Sequence, residues 1–415
     1  MTKVLLHGAG TEAQAAARYF ARHTDDEVSC FDDRGGSIEG VPSVSHDEVL
    51  AILPGATYLR SPGVPPTNEI VAAATDSALR ATTPTGLWLA DLAPKGTVTI
   101  TGTKGKSTTT ALTTLLFKEA GLSAAGYGNI GEPPLSGDLP QEEHPILELS
   151  SYMMHDLPKA EHLHIITCLF EDHLTWHGSR EAYHLAKLRP FLRERPAAGW
   201  APQNVIDRYQ LPSSVKPLES VAAAEGVLML GGEPADLGDP ALGFQSGPLR
   251  QALVAAIAAG TAFLSEDHLR EAVEKTVHAF TGLPHRQEIV PTKDGRLWID
   301  DTLATIPEAT LAVLARFAGK PVALILGGAD RGIDYAPLNK HLMAASQVTA
   351  IGYGEAAQRM TTSVTANSLE DAIAKAEEAC PEDGVILFSP AAPSEPPHAD
   401  YKERSAIFRR HAALA

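Results

Sequence analysis

The chain has 415 residues, room for two to four domains, and its 44% hydrophobic and 20% charged residues are the balance of a globular protein, which excludes general disorder. A formal net charge of −17 disfavours nonspecific attraction to nucleic acid or an acidic membrane surface, so an anion site would take the form of a local basic pocket. Cys30, Cys168 and Cys380 lie far apart with no CxxC pair, so buried reduced thiols are expected, not a disulfide framework or zinc ribbon.

The N-terminal KVLLHGAGTEAQAAARYFARH reads as a short apolar strand, a glycine turn and an alanine-rich helix, and VSCFDD as a second strand ending in two acids. The apolar start is too short for a signal-peptide core, and no segment has 18 unbroken apolar residues, so a cytoplasmic protein without membrane insertion is expected; a monomer is the separate expectation for its assembly. From about Gly96 the pattern repeats in TVTITGTKGKSTTTALTTLLFKEAGL, with Gly121 placed to stop the helix. PILELSSY and HLHIITCLF follow as buried strands. Residues 190–239 are the least legible. From about Leu283, RLWIDD, PVALILGG, VTAIGYG and GVILFSP alternate with helical stretches. Apolar strands alternating with helices imply mainly parallel sheets, with sites at the strands' C-terminal ends. The chain is therefore expected to be α/β with three successive domains.

Gly102, Gly105, Lys106 and Ser107 in ITGTKGKSTTT (100–110) lie between a strand and a helix, the context a phosphate-binding loop requires. Glycines let backbone N–H groups approach phosphates, the helix N-terminus favours an anion, and the lysine adds charge. The strict pattern fails, because Ile100 stands where its first glycine belongs; a glycine turn before a helix is the alternative.

TGTKGKST resembles the TGTNGKS/T loop of the Mur ligases, ATP-dependent enzymes of peptidoglycan stem-peptide synthesis, and of the related folylpolyglutamate synthetases. GNIG (128–131), LELSSY (147–152), EDH (171–173), AKLR (186–189), FTGLPHR (280–286), WIDD (298–301), LGGADRGIDY (326–335) and SPAAPS (389–394) follow in Mur ligase order. They are most similar to the members that add glutamate to UDP-N-acetylmuramoyl-L-alanine. The resemblance implies an N-terminal Rossmann-like UDP-substrate domain (1–92), a central P-loop-type ATPase domain (93–283) and a C-terminal Rossmann-like domain taking the amino acid (284–415).

It also implies residue roles. Gly102, Thr103, Lys104, Gly105, Lys106, Ser107 and Thr108, with Arg286 and Asp301, would bind ATP. Ser107, Glu148, His173 and Lys187, the last carbamylated, would hold two Mg²⁺ ions, and Lys106, His173 and Lys187 would be the catalytic set. Gly8, Gly10, Thr11, Asp32, Asp33, Arg34, Ser61, Gly63 and Asn129 would bind the UDP-substrate, and Thr305, Arg331, Ser394 and Tyr401 the amino acid. Read without the resemblance, Glu148 is a partly exposed strand-end acid, His177 rivals His173, Lys187 is a helix-surface lysine and Arg286 a surface ion-pair former.

Four departures matter. Lys104 replaces the family's usual Asn. The HNxxN-type segment near adenine is unrecognisable, with FQSGPLRQALVAAIAAG in its place and Gln251 at the last Asn. DTLATI stands for DSKATN, putting Leu303 where a cation is common, and Arg331 stands where lysine is common. DHLTWHGS and the altered pocket resemble the L-glutamate-adding branch. The expected activity is thus ATP-dependent addition of glutamate, leaning to L-glutamate, with D-glutamate as the alternative; a folylpolyglutamate-synthetase-like ligase and a non-catalytic nucleotide-binding homologue are the more distant ones.

Overall fold

The computed structural model describes residues 2–129, 131–136, 142–157, 162–193, 197–221, 228–230, 232–238, 243–244, 247–292 and 295–414. They form two compact units, Met1–His278 and Ala279–Ala415.

The first unit contains two parallel sheets. In the first, β1 (Lys3–His7), β2 (Glu27–Phe31), β3 (Ala56–Arg60) and β4 (Arg80–Thr82) are ordered β2-β1-β3-β4. His7 is paired with both Phe31 and Arg60, so the loops after all three strands leave from one edge. The second sheet comprises β5 (Val98–Thr101), β6 (Ala124–Gly128), β7 (His144–Glu148), β8 (Leu163–Ile166), β9 (Gly199–Ala201) and β10 (Val215–Pro217), ordered β10-β9-β8-β5-β7-β6. Central β5 is the point where the chain switches sides, the position at which open α/β sheets bind ligands. The short hairpin β11 (Met229–Leu230) and β12 (Glu233–Pro234) belongs to the stretch that is hard to read from sequence.

The expected helix after the phosphate-loop motif spans Lys106–Glu119. Gly121 ends it at φ 76°, its N–H bonding Lys118 O at 2.9 Å and that of Leu122 bonding Phe117 O at 2.8 Å, the paired closure that a left-handed glycine permits.

The two sheets of this unit share apolar packing. Val4, Leu6 and Ala13, Ala15, Ala16 and Ala17 of helix Thr11–His23 belong to the same buried cluster as Leu147, Leu149, Met153 and Met154. Beside it, fully buried Arg60 at the end of β3 crosses to helix Ser151–His155, donating to Asp156 Oδ2 at 2.5 Å and Tyr152 O at 2.9 Å, and to Val64 O at 2.5 Å.

The second unit carries β13 (Glu288–Val290), β14 (Leu297–Asp300), β15 (Val322–Gly327), β16 (Val348–Tyr353), β17 (Val364–Thr365) and β18 (Val385–Phe388), ordered β13-β14-β18-β15-β16-β17. The strands are parallel except β13, which pairs antiparallel with β14 at the edge. Every residue of β15, VALILG, is buried, as a central parallel strand covered on both faces requires. The cysteine expectation needs correction: Cys30 and Cys380 are buried, but Cys168, just beyond β8, is only half-buried because it lines an open hollow beside the phosphate-loop motif. Among the described residues no helix is long and apolar enough to cross a membrane.

Arg60→Met would leave the Asp156 carboxylate with His155 but no guanidinium, and would strand several carbonyls at once. Chemical denaturation should show a loss of about 3 kcal/mol, whereas a loss below about 1 kcal/mol would make the Arg60 contacts incidental.

Candidate active site

The turn after β1 exists because Gly8, at φ 95°, lies against the turn after β3; a Cβ there would be 2.7 Å from Ser61 Oγ. Gly10 caps helix Thr11–His23 with open space before it, as an approaching anion needs. Asp32 is consumed locally. Its carboxylate accepts from the N–H groups of Ala9 (2.9 Å), Arg34 (2.8 Å) and Gly36 (3.1 Å), and although burial alone would raise its pKa, these bonds hold it below the usual value. Asp33 is aimed by His7 Nε2 at 2.8 Å, whose Nδ1 is 2.6 Å from the Tyr58 hydroxyl. The Arg34 side chain is exposed.

The loop after β5 is held by the segment after β8. Thr103 N donates to Cys168 O at 2.9 Å, Thr167 Oγ1 to Lys104 O at 2.6 Å and Phe170 N to Thr103 Oγ1 at 2.9 Å. Gly102 takes φ 151°, where a Cβ would lie 2.0 Å from Thr167 Oγ1, and Gly105 caps the following helix at φ 83°. Lys106 folds back to Thr103 O at 3.2 Å; burial, partly opposed by Glu148, lowers its pKa. Ser107 and Thr108 begin the helix half-buried, and Lys104 is exposed, 3.5 Å from Asp172.

Beside this loop three residues correct their motif-free readings. Glu148 is 1% exposed, not a partly exposed acid, because β7 lies between β5 and β6. Its Oε1 accepts from Asn129 Nδ2 at 2.8 Å, and its buried Oε2 has no hydrogen-bond partner. Lys187 is 2% exposed, not a surface lysine, because the inner face of helix Arg180–Leu188 packs over the β5 end; Nζ donates to Thr101 Oγ1 at 3.1 Å and lies 5.1 Å from the Tyr183 ring centre. Burial first and Lys106 second lower its pKa to about 7. His173 adopts φ 52° and faces the Tyr152 hydroxyl at 3.1 Å, whereas His177 turns to Ser151 Oγ at 2.9 Å and burial lowers its pKa to about 4.

Gly8, Gly10, Thr11, Asp32, Asp33, Arg34, Ser61, Gly63, Asn129, Lys106, His173 and Lys187 all line one cavity of about 840 Å³. A second, more apolar hollow of about 600 Å³ lies on the other side of the loop, lined by Lys104, Gly105, Cys168, Phe170, Asn204 and Gln251, with Phe170 61% exposed.

The remaining candidates belong to the second unit. Arg286 is exposed, while Asp301 is buried, accepting from Ser389 Oγ at 2.7 Å and Gln287 N at 3.1 Å, with burial raising its pKa to about 7. Thr305, exposed Arg331 and buried Ser394 follow β14, β15 and β18, and Tyr401 opens helix Tyr401–Leu414 with its ring against His285. Leu303 is half-buried.

Sequence reasoning passed over Glu12, Tyr152 and Tyr183, which also line the larger cavity. Glu12 is buried, accepts from Thr85 Oγ1 at 3.1 Å and has its pKa raised by burial to about 7. Tyr183 was findable: it is four residues before Lys187, the spacing that stacks two side chains on one helical face.

The depressed pKa of Lys187 has a testable sign. A lysine that titrates near 10.5 when unfolded but at about 7 when folded penalises the fold at neutral and lower pH and costs nothing above the unfolded value. In carbon-dioxide-free buffer, the melting temperature of Lys187→Met should therefore exceed that of the wild type increasingly as pH falls from about 10 to about 7. A constant difference across that window would show an ordinary, hydrated lysine.

Residues 100–208 match the family model described as the Mur ligase middle domain. The chain is 33% identical, over 98% of its length and 95% of the relative's, to the UDP-N-acetylmuramoyl-L-alanine--L-glutamate ligase of Micromonospora sp.. It is 32% identical to the ligase of the same name from Xanthomonas axonopodis pv. citri, over 86% of this chain and 81% of that one. Among solved structures, the MurF ligase from Thermotoga maritima in complex with ADP aligns with 99% of this chain and 94% of its own at a TM-score of 0.58 and 13% identity. The UDP-N-acetylmuramate-alanine ligase MurC from the same organism aligns over 99% of each chain at a TM-score of 0.54 and 17% identity. The structural likenesses carry the fold, the sequence relatives carry the family, and the chain belongs to the Mur ligases, a family of ATP-dependent ligases.

Proposed function

We propose that the protein joins glutamate to UDP-N-acetylmuramoyl-L-alanine through an acyl phosphate, at the expense of ATP, and that the glutamate is the L-enantiomer. The observation that carries the reading is the single cavity lined both by the glycine turns of the first sheet and by Lys106, His173 and Lys187 of the second. A long substrate with a diphosphate at one end and a carboxylate at the other fits such a lining. Residues 1–92 would hold the UDP-substrate, 93–283 ATP and 284–415 the amino acid.

The cradle at Gly102–Ser107 fits a triphosphate: left-handed glycines where a Cβ would collide, a helix start and a lysine. Adenine would occupy the 600 Å³ hollow, stacking on exposed Phe170 with Gln251 at its wall. Arg286 and Asp301 are the further ATP contacts that family likeness suggests.

The substrate's alanyl carboxylate oxygen attacks the γ-phosphorus of ATP, forming an O–P bond as the bond to ADP breaks. Lys106 stabilises the charge on the transferring group. The glutamate amine then attacks the acyl carbon; the C–N bond forms, the C–O bond to phosphate breaks, and the proton the amine gives up passes to water. Arg331, Thr305, Ser394 and Tyr401 orient that amine.

The donor set fits divalent cations, since Glu148 keeps a buried carboxylate oxygen without a partner. Ser107, Glu148, His173 and carbamylated Lys187 would hold two Mg²⁺ ions, which when bound neutralise phosphate charge. Carbamylation needs a neutral amine to attack carbon dioxide, and a lysine titrating at about 7 supplies one at physiological pH. The amine nitrogen releases a proton as the C–N bond forms, and the product is anionic, which turns a buried amine into an oxygen ligand.

The L-enantiomer is supported by the names of the relatives, which specify L-glutamate, and by Leu303 in the pocket segment DTLATI. Incubation with ATP, Mg²⁺, UDP-N-acetylmuramoyl-L-alanine and each glutamate enantiomer separately, followed by phosphate release and product mass, should give a faster reaction with L-glutamate. Product with D-glutamate alone would reverse the enantiomer, and no product with either would sink the ligase reading.

Lys106→Ala should abolish ligation but keep UDP-substrate binding. Lys187→Ala should lose most activity and regain part of it with added short carboxylates, which can replace the carbamate. Near-wild-type turnover in either variant would remove that residue from the proposed chemistry.

A further inference from the structure

In the second unit, Arg404 is 0% exposed. Nη1 donates to Ala392 O at 3.0 Å and Nη2 to Thr302 O at 2.6 Å, while the guanidinium sits 5.9 Å from the Phe388 ring centre. Nε has no hydrogen-bond partner. The carboxylate it feels, Asp300, is already engaged by Thr302, Ser405 and Arg409. A charged fork has thus been buried on two backbone carbonyls beside the buried phenol of Tyr353, with no carboxylate of its own, an arrangement that costs stability.

Its position suggests what the cost supports. Ala392 lies two residues before Ser394, and Thr302 three before Thr305. The third loop is drawn in through Gly328: a Cβ there would stand 3.4 Å from Nη1, and Ala329 N bonds Pro393 O at 3.0 Å, two residues before Arg331. Arg404 itself is one helical turn beyond Tyr401. The three loops leave the C-terminal ends of the adjacent strands β14, β18 and β15, where open α/β sheets place their ligands.

We propose that Arg404 is the positioning residue of the amino-acid pocket, its planar fork fixing the spacing of the Thr302–Thr305 and Ala392–Ser394 loops. Its buried charge adds a positive potential that favours a dicarboxylic amino acid. The inference rests on the reading of Thr305, Arg331 and Ser394 as that pocket. A lysine keeps the charge but has no fork, so it cannot hold two carbonyls in one plane.

The test is the Michaelis constant of each of the three substrates in Arg404→Lys and Arg404→Met, with Arg331→Ala and Ser394→Ala alongside. Both Arg404 variants should raise the glutamate KM at least tenfold, Met more than Lys, and leave those for ATP and the UDP-substrate within about twofold. If Arg331→Ala or Ser394→Ala raises the glutamate KM and Arg404→Lys does not, the proposal falls and the pocket stands. If none of the four variants moves it, the pocket reading itself has failed. Equal rises in all three constants with a lowered melting temperature would reduce Arg404 to a structural residue and overturn the proposal. Should neither Arg404 variant fold, hydrogen exchange on the wild type decides: glutamate should slow exchange in 302–305 and 391–394 together, and no slowing in either segment overturns the proposal.

Discussion

Parallel strands bonded in register present all their C-terminal ends on one side, and each candidate residue of this chain depends on that constraint. His7 opposite Phe31 and Arg60 brings three loops of the first sheet to one edge. Ile100 opposite Glu148, and Thr101 opposite Ile166, put the phosphate loop between a carboxylate and the Thr167–Phe170 clamp. Asp300 opposite Phe388 does the same for the loops that Arg404 joins. A slip in any of these registers would move the chemistry, not merely the packing.

Within that frame the central sheet concentrates charge against the trend of the whole chain. The protein is strongly acidic, yet half-buried Lys106 lies close enough to buried Lys187 to disfavour its charged form, with Glu148 as the buried counter-charge. An ammonium beside an amine that burial keeps largely neutral is a site short of counter-charge, so binding a phosphate or forming a carbamate there relieves a penalty already present. Charge at this site is set by burial more than by composition.

The parts legible in the sequence were those governed by local backbone demands. Gly8, Gly102, Gly105 and Gly121 mark left-handed turns, and a motif built on such turns announces itself at any position in a chain. The β15 run, VALILG, was legible because a doubly covered parallel strand needs unbroken apolar residues. What stayed hidden depends on neighbours distant in sequence. Nothing in AKLR tells that Thr101, 86 residues away, will accept from Lys187, and nothing in SCFDD tells that three backbone amides will occupy Asp32 while His7 leaves Asp33 facing the cavity. Cys168 was misjudged for the same reason, since its partner Lys104 is 64 residues away.

The apolar cluster that Val4 and Leu6 share with Leu147 and Met153 bears on how such a protein can be recombined. A chimera cut between the first and second sheets would pair surfaces that had not been fitted to one another, and each half would carry unmatched hydrophobic area into solution. A cut near His278 falls instead at the boundary between the two compact units. The glycine turns of the first sheet and the phosphate-loop motif of the second therefore share one folding unit, and a substitution in the packing between them would be felt by both.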